Sequence, residues 1–213
     1  MTTPTPMVFV IDDDQSVRKS LRRLLDAANY KIELFTSASE FLSRSAHPGP
    51  SCIIIDVRMP GLSGIDFQNV LIQNNRDEQL IFITGHGDIP MCATAMKAGA
   101  VDFLPKPFKP KQLLESVERA LSRSAEQVLR TSERHHARAL LQRLTPREYQ
   151  VMELVATGLL NKQVGGELGM AEKTVKTHRA HMMQKLGITS VAELMLVLQK
   201  ADITPPVKPG TKV

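Results

Sequence analysis

Two short apolar runs in the first half of the chain each end in aspartate. Asp12 and Asp13 follow the run 7–11, and Asp56 follows the run 52–55. Such runs predict buried β-strands, and an open parallel sheet holds its ligands at the carboxyl ends of its strands. We therefore expect these carboxylates to meet at one end of a sheet and to bind a cation there.

Two further apolar runs end in other polar groups. The run 80–83 leads to Thr84, and a run near 101–104 leads to Lys106. Carboxylates, a hydroxyl and an ammonium group together suit the transfer of a phosphoryl group to an aspartate. In this chemistry Asp56 is the nucleophile, while Thr84 and Lys106 hold the remaining phosphoryl oxygens.

The choice of cation follows from charge and ligand type. If Asp12, Asp13 and Asp56 converge, each pair of carboxylates about 4 Å apart repels by roughly 4 kcal/mol at an effective dielectric constant of about 20. A divalent ion relieves this repulsion. Ligands that are all oxygen atoms favour Mg²⁺, with Mn²⁺ as the second choice.

Composition excludes several protein classes. The chain has 213 residues, which predicts two domains, and 42% apolar residues, which support packed cores. No apolar run is long enough for a membrane span, and the start lacks the features of a signal peptide, so we expect a cytoplasmic protein. Cys52 and Cys92 form no metal-binding pattern. The net charge of +5 is by itself weak support for nucleic-acid binding.

Residues 1–110 are predicted to form an α/β domain, because apolar strands alternate there with helical patterns. A five-stranded parallel sheet of flavodoxin-like order 2-1-3-4-5 places strands 1 and 3 side by side, so that Asp13 and Asp56 meet. Residues 111–143 carry apolar side chains at helical spacing, which predicts the last helix of this domain and a helical linker. We favour one long helix, with a break near Ser132 as the alternative.

Residues 144–203 show only helical patterns and predict an all-α domain. Thr145 and Glu148 have the spacing of a capping box. A helix at about 161–168, a turn with Gly169 and a second helix at about 172–186 predict a helix-turn-helix. One face of the second helix is cationic and carries small side chains, which suits a DNA major groove. Residues 204–213 are predicted to be a disordered tail.

Both halves together resemble a two-component response regulator of the FixJ/NarL class, with a receiver domain followed by a LuxR-type helix-turn-helix. The match covers nearly the whole chain, and segment 85–91 is most similar to the FixJ branch. The motifs of the receiver pattern lie at 10–14, 56–61, 84–88 and 98–108, and those of the output pattern lie at 144–148, 158–162 and 173–179.

The resemblance implies a phosphorylation-activated DNA-binding transcription regulator without enzymatic turnover. It implies that a histidine kinase phosphorylates Asp56. Further implied roles belong to the metal ligands Asp12, Asp13, Asp56 and the Arg58 carbonyl, the phosphate-binding residues Thr84 and Lys106, and the aromatic switch Phe103. We also expect the side chains of Arg58 and His86 to border the phosphoryl site and to govern water access.

The resemblance further implies a homodimer that forms on phosphorylation through the helix near 89–97 and the segment 101–108. Each protomer then offers a recognition helix to one half-site of an operator, and RNA polymerase is a further expected partner. The expected DNA-binding residues are Lys162, Lys173, Thr174, Lys176, Thr177, Arg179, Ala180, His181 and Lys185.

Some residues depart from the family pattern. Gly165 and Gly166 stand where relatives usually have alanine and a polar residue, and each glycine within a helix costs about 0.8–1 kcal/mol relative to alanine. We therefore expect local softness there. Ala180 offers only a methyl contact where relatives often have a longer polar side chain, and His181 stands where they often have asparagine.

Two alternatives compete with this interpretation. The run ending in Asp12 also resembles the opening motif of haloacid-dehalogenase-like phosphatases, in which Asp12 would be the nucleophile. That family needs a further acidic pair after the lysine, and none follows Lys106 at a strand end. A phosphate-independent receiver is the second alternative, and the presence of Asp13, Asp56, Thr84 and Lys106 argues against it.

Overall fold

The structure is a computed structural model, and it describes residues 5–74, 76, 78–85 and 89–206. The chain divides into two compact units, Met1–Val128 and Leu129–Val213. His86, which we expect to border the phosphoryl site, lies outside the described residues, as do residues 207–213 of the predicted tail.

The first unit alternates strands and helices. The strands are β1 (Met7–Ile11), β2 (Lys31–Phe35), β3 (Ser51–Asp56), β4 (Gln79–Thr84) and β5 (Asp102–Pro105). The helices between them are α1 (Gln15–Ala27), α2 (Ala38–Leu42), α3 (Gly64–Gln73) and α4 (Ile89–Lys97). Helix α5 (Pro110–Leu141) follows β5.

The strands form one parallel sheet of order β2-β1-β3-β4-β5, which confirms the predicted fold and strand order. Ile11 of β1 is in register with Ile55 of β3. Asp12 follows Ile11, and Asp56 follows Ile55. The two aspartates therefore lie side by side at the carboxyl end of the sheet. The prediction that the ends of strands 1 and 3 are adjacent is therefore confirmed.

Apolar side chains cover both faces of the sheet. Alternate residues of β1 show this, because Phe9 packs in the core formed with α2, α3 and α4, whereas Val8 packs in the core formed with α1 and α5. The hydroxyl of Ser124 on α5 accepts a buried hydrogen bond of 2.9 Å from the backbone amide of Ser51, at the start of β3. The strand that ends in Asp56 is thus fixed to α5 at its other end.

Helix α5 runs without a break from Pro110 to Leu141, which confirms the single long helix and not the alternative break near Ser132. Pro110 occupies the first helical position, where its missing amide proton is not needed. The helix crosses the boundary between the two units, and its last residues, among them the buried Ala137 and Leu141, contribute to the core of the second unit.

The second unit is helical. It contains α6 (Pro146–Ala156), α7 (Asn161–Leu168), α8 (Glu172–Leu186) and α9 (Val191–Ala201), which pack around one core. Thr145 and Glu148 form the predicted capping box at the start of α6. Among the described helices, none combines the length and apolar character needed to cross a membrane.

Candidate phosphoacceptor site and nucleic-acid interface

Asp12, Asp13 and Asp56 meet at the carboxyl end of the sheet, as the sequence predicted. One carboxylate oxygen of each lies within 4.8 Å of the others. Asp12 is buried, Asp56 is half-buried and Asp13 is exposed. The cluster is therefore buried on the side of Asp12 and accessible to solvent on the side of Asp13.

Backbone and side-chain donors fix Asp12. Its Oδ1 accepts a hydrogen bond of 2.8 Å from the backbone amide of Asp14, and Nη1 of Arg18 donates to its carbonyl oxygen at 2.6 Å. Asp14 in turn caps α1 by accepting from the amide of Ser16. The third aspartate of the motif thus orders the loop, and Arg18 is a supporting residue that we had not predicted.

Lys106 supplies a positive charge to the cluster. Its Nζ lies 2.9 Å from Oδ2 of Asp12 and 3.5 Å from Oδ2 of Asp56. The backbone amide of Lys106 donates to the carbonyl oxygen of Thr84 at 2.7 Å, which ties the end of β5 to the end of β4. The structure thus brings Lys106 to the carboxylates and places the buried Thr84, the last residue of β4, next to it.

The carboxylate of Asp56 is electrostatically strained. Burial raises its pKa, the charge of Lys106 acts to lower it, and the nearby Asp12 raises it, so that the net pKa lies above its ordinary value. Oδ1 of Asp56 is buried and has no hydrogen-bond partner. A buried carboxylate oxygen without a partner is unfavourable, and a divalent cation or a new covalent bond would satisfy it. The donor set of oxygen atoms fits Mg²⁺.

Gly64 determines how closely α3 approaches Asp56. A Cβ atom at this position would lie 2.7 Å from the carbonyl oxygen of Asp56 and 3.0 Å from Cα of Val57. Only glycine fits there without a backbone shift. The sequence gave no prediction for this glycine, because the close approach depends on tertiary packing.

The other receiver residues lie near this end of the sheet. The side chain of Arg58 is exposed, and its backbone amide donates a hydrogen bond that acts to lower the pKa of Asp56. Phe103 is half-buried, and its ring centroid lies 6.1 Å from that of Phe82. The Arg58 carbonyl as a metal ligand and Phe103 as a switch remain predictions.

In the second unit, α7, the turn and α8 have the predicted helix-turn-helix bounds. Gly169 adopts a φ of 65° and ends α7. Gly165 lies under the turn, since a Cβ atom there would lie 2.6 Å from the carbonyl oxygen of Met170, whereas Gly166 faces open space. The glycine pair therefore contains one residue that the turn requires and one that it does not.

The two faces of α8 separate as expected. Val175, Met182 and Leu186 are buried against the core of the unit. The opposite face is exposed and carries Lys173, Lys176, Thr177, Ala180, His181 and Gln184. Thr174 and Lys162, the latter on α7, are also exposed.

Two of the expected DNA contacts are held within the protein. Arg179 is half-buried, and its Nη1 donates to Oδ1 of Asn161 at 3.0 Å. Nζ of Lys185 lies 2.6 Å from Oε2 of the buried Glu148. Their binding to DNA stays a prediction, but both side chains have a role in packing α8 onto α6 and α7. Sequence spacing gave no signal for these partners.

Lys176 also has a partner, although it remains exposed. Its Nζ lies 2.9 Å from Oε1 of Glu172, the first residue of α8. The side chains are 62% and 45% exposed, so the pair lies on the surface. Glu172 was absent from the expected set of DNA-binding residues, although its spacing of four from Lys176 was a readable signal.

Comparison with known families covers both units. Residues 8–118 match the family described as the response regulator receiver domain. Residues 142–198 match the family described as bacterial regulatory proteins of the luxR family. Together the two families are those of DNA-binding response regulators, which contradicts the phosphatase alternative with Asp12 as nucleophile.

Individual relatives match over nearly their whole length. Nodulation protein W of Bradyrhizobium diazoefficiens is 46% identical over 200 residues, which cover 93% of this chain and 87% of that protein. Transcriptional regulatory protein FixJ of Azorhizobium caulinodans is 39% identical over 198 residues, which cover 93% and 94%. The solved structure of the response regulator StyR is 47% identical and has a TM-score of 0.82, covering 92% and 99%.

Proposed function

Because the chain belongs to the response regulators that join a receiver domain to a LuxR-family DNA-binding domain, we propose that a histidine kinase phosphorylates it on Asp56. Proteins of this family are DNA-binding transcription regulators of two-component systems and not enzymes. The receiver domain implies a histidine kinase as a partner, and the second domain implies DNA.

The buried Oδ1 of Asp56 carries the assignment, because it is a carboxylate oxygen with no hydrogen-bond partner at the open end of the sheet. In the proposed reaction an oxygen of Asp56 attacks the phosphorus of a phosphohistidine. The new O–P bond forms as the P–N bond to the imidazole breaks, and the imidazole leaves with the bonding electron pair. Asp56 becomes an acyl phosphate.

The acidic cluster is proposed to hold Mg²⁺, or Mn²⁺ as second choice, through Asp12, Asp13, Asp56 and the Arg58 carbonyl. When bound, the ion supplies positive charge that neutralises the phosphoryl oxygens next to these carboxylates. Lys106 already lies 3.5 Å from Asp56 and needs only a small movement to pair with a phosphoryl oxygen. The Thr84 hydroxyl is proposed to donate to a second phosphoryl oxygen.

Phosphorylation adds nearly two negative charges at Asp56. We propose that Lys106 turns from Asp12 toward the phosphoryl group and that Thr84 moves inward, so that Phe103 changes its packing against Phe82. Helix α4 and the segment 101–108 then pair two receivers. Ile89 on α4 is 86% exposed, which suits a surface that becomes buried on association.

Dimerisation would bring two α8 helices to adjacent half-sites of an operator. Lys173, Lys176, Thr177, Ala180 and His181 are proposed to face the major groove, and Thr174, Arg179 and Lys185 to flank it. Lys162 on α7 is proposed to contact a phosphate. We assign residues 1–110 to the receiver, 111–143 to its last helix and linker, 144–203 to the DNA-binding domain and 204–213 to a tail. The protein would act in the cytoplasm, with RNA polymerase as a further partner.

Footprinting with and without acetyl phosphate tests the proposal. We expect acetyl phosphate to strengthen operator protection by wild type and by Asp26→Asn, a control at an exposed carboxylate on α1. Protection by Asp56→Asn should not respond, because the amide cannot act as the nucleophile. Labelling with radioactive acetyl phosphate gives a second readout. If Asp56→Asn retained a stoichiometric phosphoryl label that is stable in acid and labile in base, the assignment would be refuted.

A further inference from the structure

Glu172, Lys176 and Ala180 form a row along the exposed side of α8. Steps of four residues place them almost above one another on a helix, and all three are exposed. Glu172 is the first residue of the helix, and its carboxylate pairs with Lys176 at 2.9 Å. In a helix-turn-helix, the N-terminal residues of this helix approach the base edges. The row therefore begins with a carboxylate at the end that enters the groove.

A carboxylate at this place has two effects without DNA. It is favourable near the positive end of the helix dipole, and its pairing with Lys176 adds a small stabilisation to the helix. Against DNA it is unfavourable, because the phosphates repel it. The exposed Glu172 at the N-terminus of α8 thus lowers the affinity for DNA of any sequence, unless a base offers a hydrogen-bond donor to its carboxylate.

We infer that Glu172 is a specificity-determining residue whose carboxylate selects an exocyclic amino group in the major groove. The inference rests on the proposed function, specifically on the docking of α8 in that groove. Only cytosine N4 and adenine N6 donate there, whereas guanine and thymine present acceptors at the corresponding edge. Glu172 therefore accepts cytosine or adenine and rejects a base that would place an acceptor opposite its carboxylate.

The pairing with Lys176 sets where this base lies. An ammonium and a carboxylate 2.9 Å apart present a donor and an acceptor side by side. Guanine O6 and N7 accept from the lysine, and the amino group of the paired cytosine, or of a neighbouring base, donates to the glutamate. Ala180 leaves room in the same row for close approach. The two charged side chains thus recognise adjacent groups on the bases, since Lys176 needs an acceptor and Glu172 needs a donor.

In vitro selection from random duplexes with full-length protein tests this inference. The proteins compared are wild type, Glu172→Gln, Glu172→Ala and Glu167→Gln, in which the control site is an exposed glutamate on α7. We expect wild type and Glu167→Gln to select the same motif, with cytosine or adenine at one position of each half-site. Glu172→Ala should lose that preference alone, whereas Glu172→Gln can keep it, because its amide oxygen still accepts from the amino group. Both variants should bind random DNA more tightly, because a negative charge near the phosphates is removed.

Single-atom changes in the selected operator sharpen the test. Replacing the selected cytosine by 2-pyrimidinone, or the selected adenine by purine, removes only the amino group. The loss should weaken wild type by about tenfold and Glu172→Ala by much less. An unchanged motif in Glu172→Ala, or equal losses in wild type and Glu172→Ala, would overturn the inference alone. Failure of wild type to select any motif would overturn the docking of α8 as well.

Discussion

Nζ of Lys185 on α8 lies 2.6 Å from Oε2 of Glu148 on α6, a residue that is only 4% exposed. The same carboxylate oxygen accepts from the backbone amide of Thr145 at 2.8 Å and so completes the capping box. One buried glutamate therefore fixes both the start of α6 and the position of the recognition helix.

This pair predicts a pH dependence of stability. Burial acts to raise the pKa of Glu148, but hydrogen bonds from Lys185 and Thr145 outweigh it and lower the pKa. A carboxyl with a lowered folded-state pKa stabilises the fold above its unfolded pKa of about 4.3. It loses that contribution as the pH falls through the folded pKa. Glu148→Gln can keep the capping box but loses the ion pair.

We expect Glu148→Gln to lower the free energy of unfolding of the second unit by about 1–2 kcal/mol at pH 7. The difference from wild type should shrink as the pH falls below about 4.3. Urea unfolding followed by Tyr149 fluorescence measures this in a Tyr30→Phe background, which leaves Tyr149 as the sole tyrosine. Glu167→Gln is the control. A difference that stays constant with pH would contradict the role of the ion pair.

Asp13→Asn should weaken Mg²⁺ binding by more than tenfold. Mutation of a residue that only hydrogen-bonds to a metal ligand typically lowers metal affinity by about tenfold or more, and loss of a ligand itself should cost at least as much. Calorimetric titration of the unphosphorylated protein measures the affinity. Asp26→Asn removes an equal charge from the exposed part of α1 and should leave binding unchanged. Equal affinities for wild type and Asp13→Asn would move the ligand role to another group.

Gly165→Ala and Gly166→Ala should change stability in opposite directions. At Gly165 the new Cβ would lie 2.6 Å from the Met170 carbonyl oxygen, so the turn must shift and the second unit loses stability. At Gly166 the Cβ meets open space, and helix propensity should add about 0.8–1 kcal/mol. Thermal unfolding compares the two variants. Stabilisation by both would show that the turn moves freely.

Lys176→Ala and Lys162→Ala separate base reading from phosphate binding. Lys176 lies near the leading end of α8, so its loss should lower the ratio of operator to random-DNA affinity. Loss of Lys162 should weaken both affinities together and reduce the salt slope by about one unit. Binding titrations at several salt concentrations distinguish them. The reverse pattern would contradict the docking of α8.

The sequence predicted the features that depend on local pattern. Apolar runs located the strands and therefore the meeting of Asp12 and Asp56, and helical spacing located α7 and α8. The partners of Lys185 and Arg179 were not predictable, because they bring together side chains from different helices at distances that only tertiary packing sets. The need for glycine at 64 also arises from packing, since it depends on the backbone carbonyl of Asp56 at the end of β3, whereas the need at 165 depends on the conformation of the turn that follows α7.

The cluster of Asp12, Asp13 and Asp56 also has a thermodynamic consequence. Removing one negative charge from a cluster of carboxylates relieves repulsion, so the receiver without a cation should unfold at a higher urea concentration as Asp56→Asn than as wild type. The Asp56→Asn variant, which cannot be phosphorylated at this position, would then have the higher free energy of unfolding. At Asp56, the proposed phosphoacceptor, the chain would thus keep an unfavourable electrostatic free energy that a bound cation can offset.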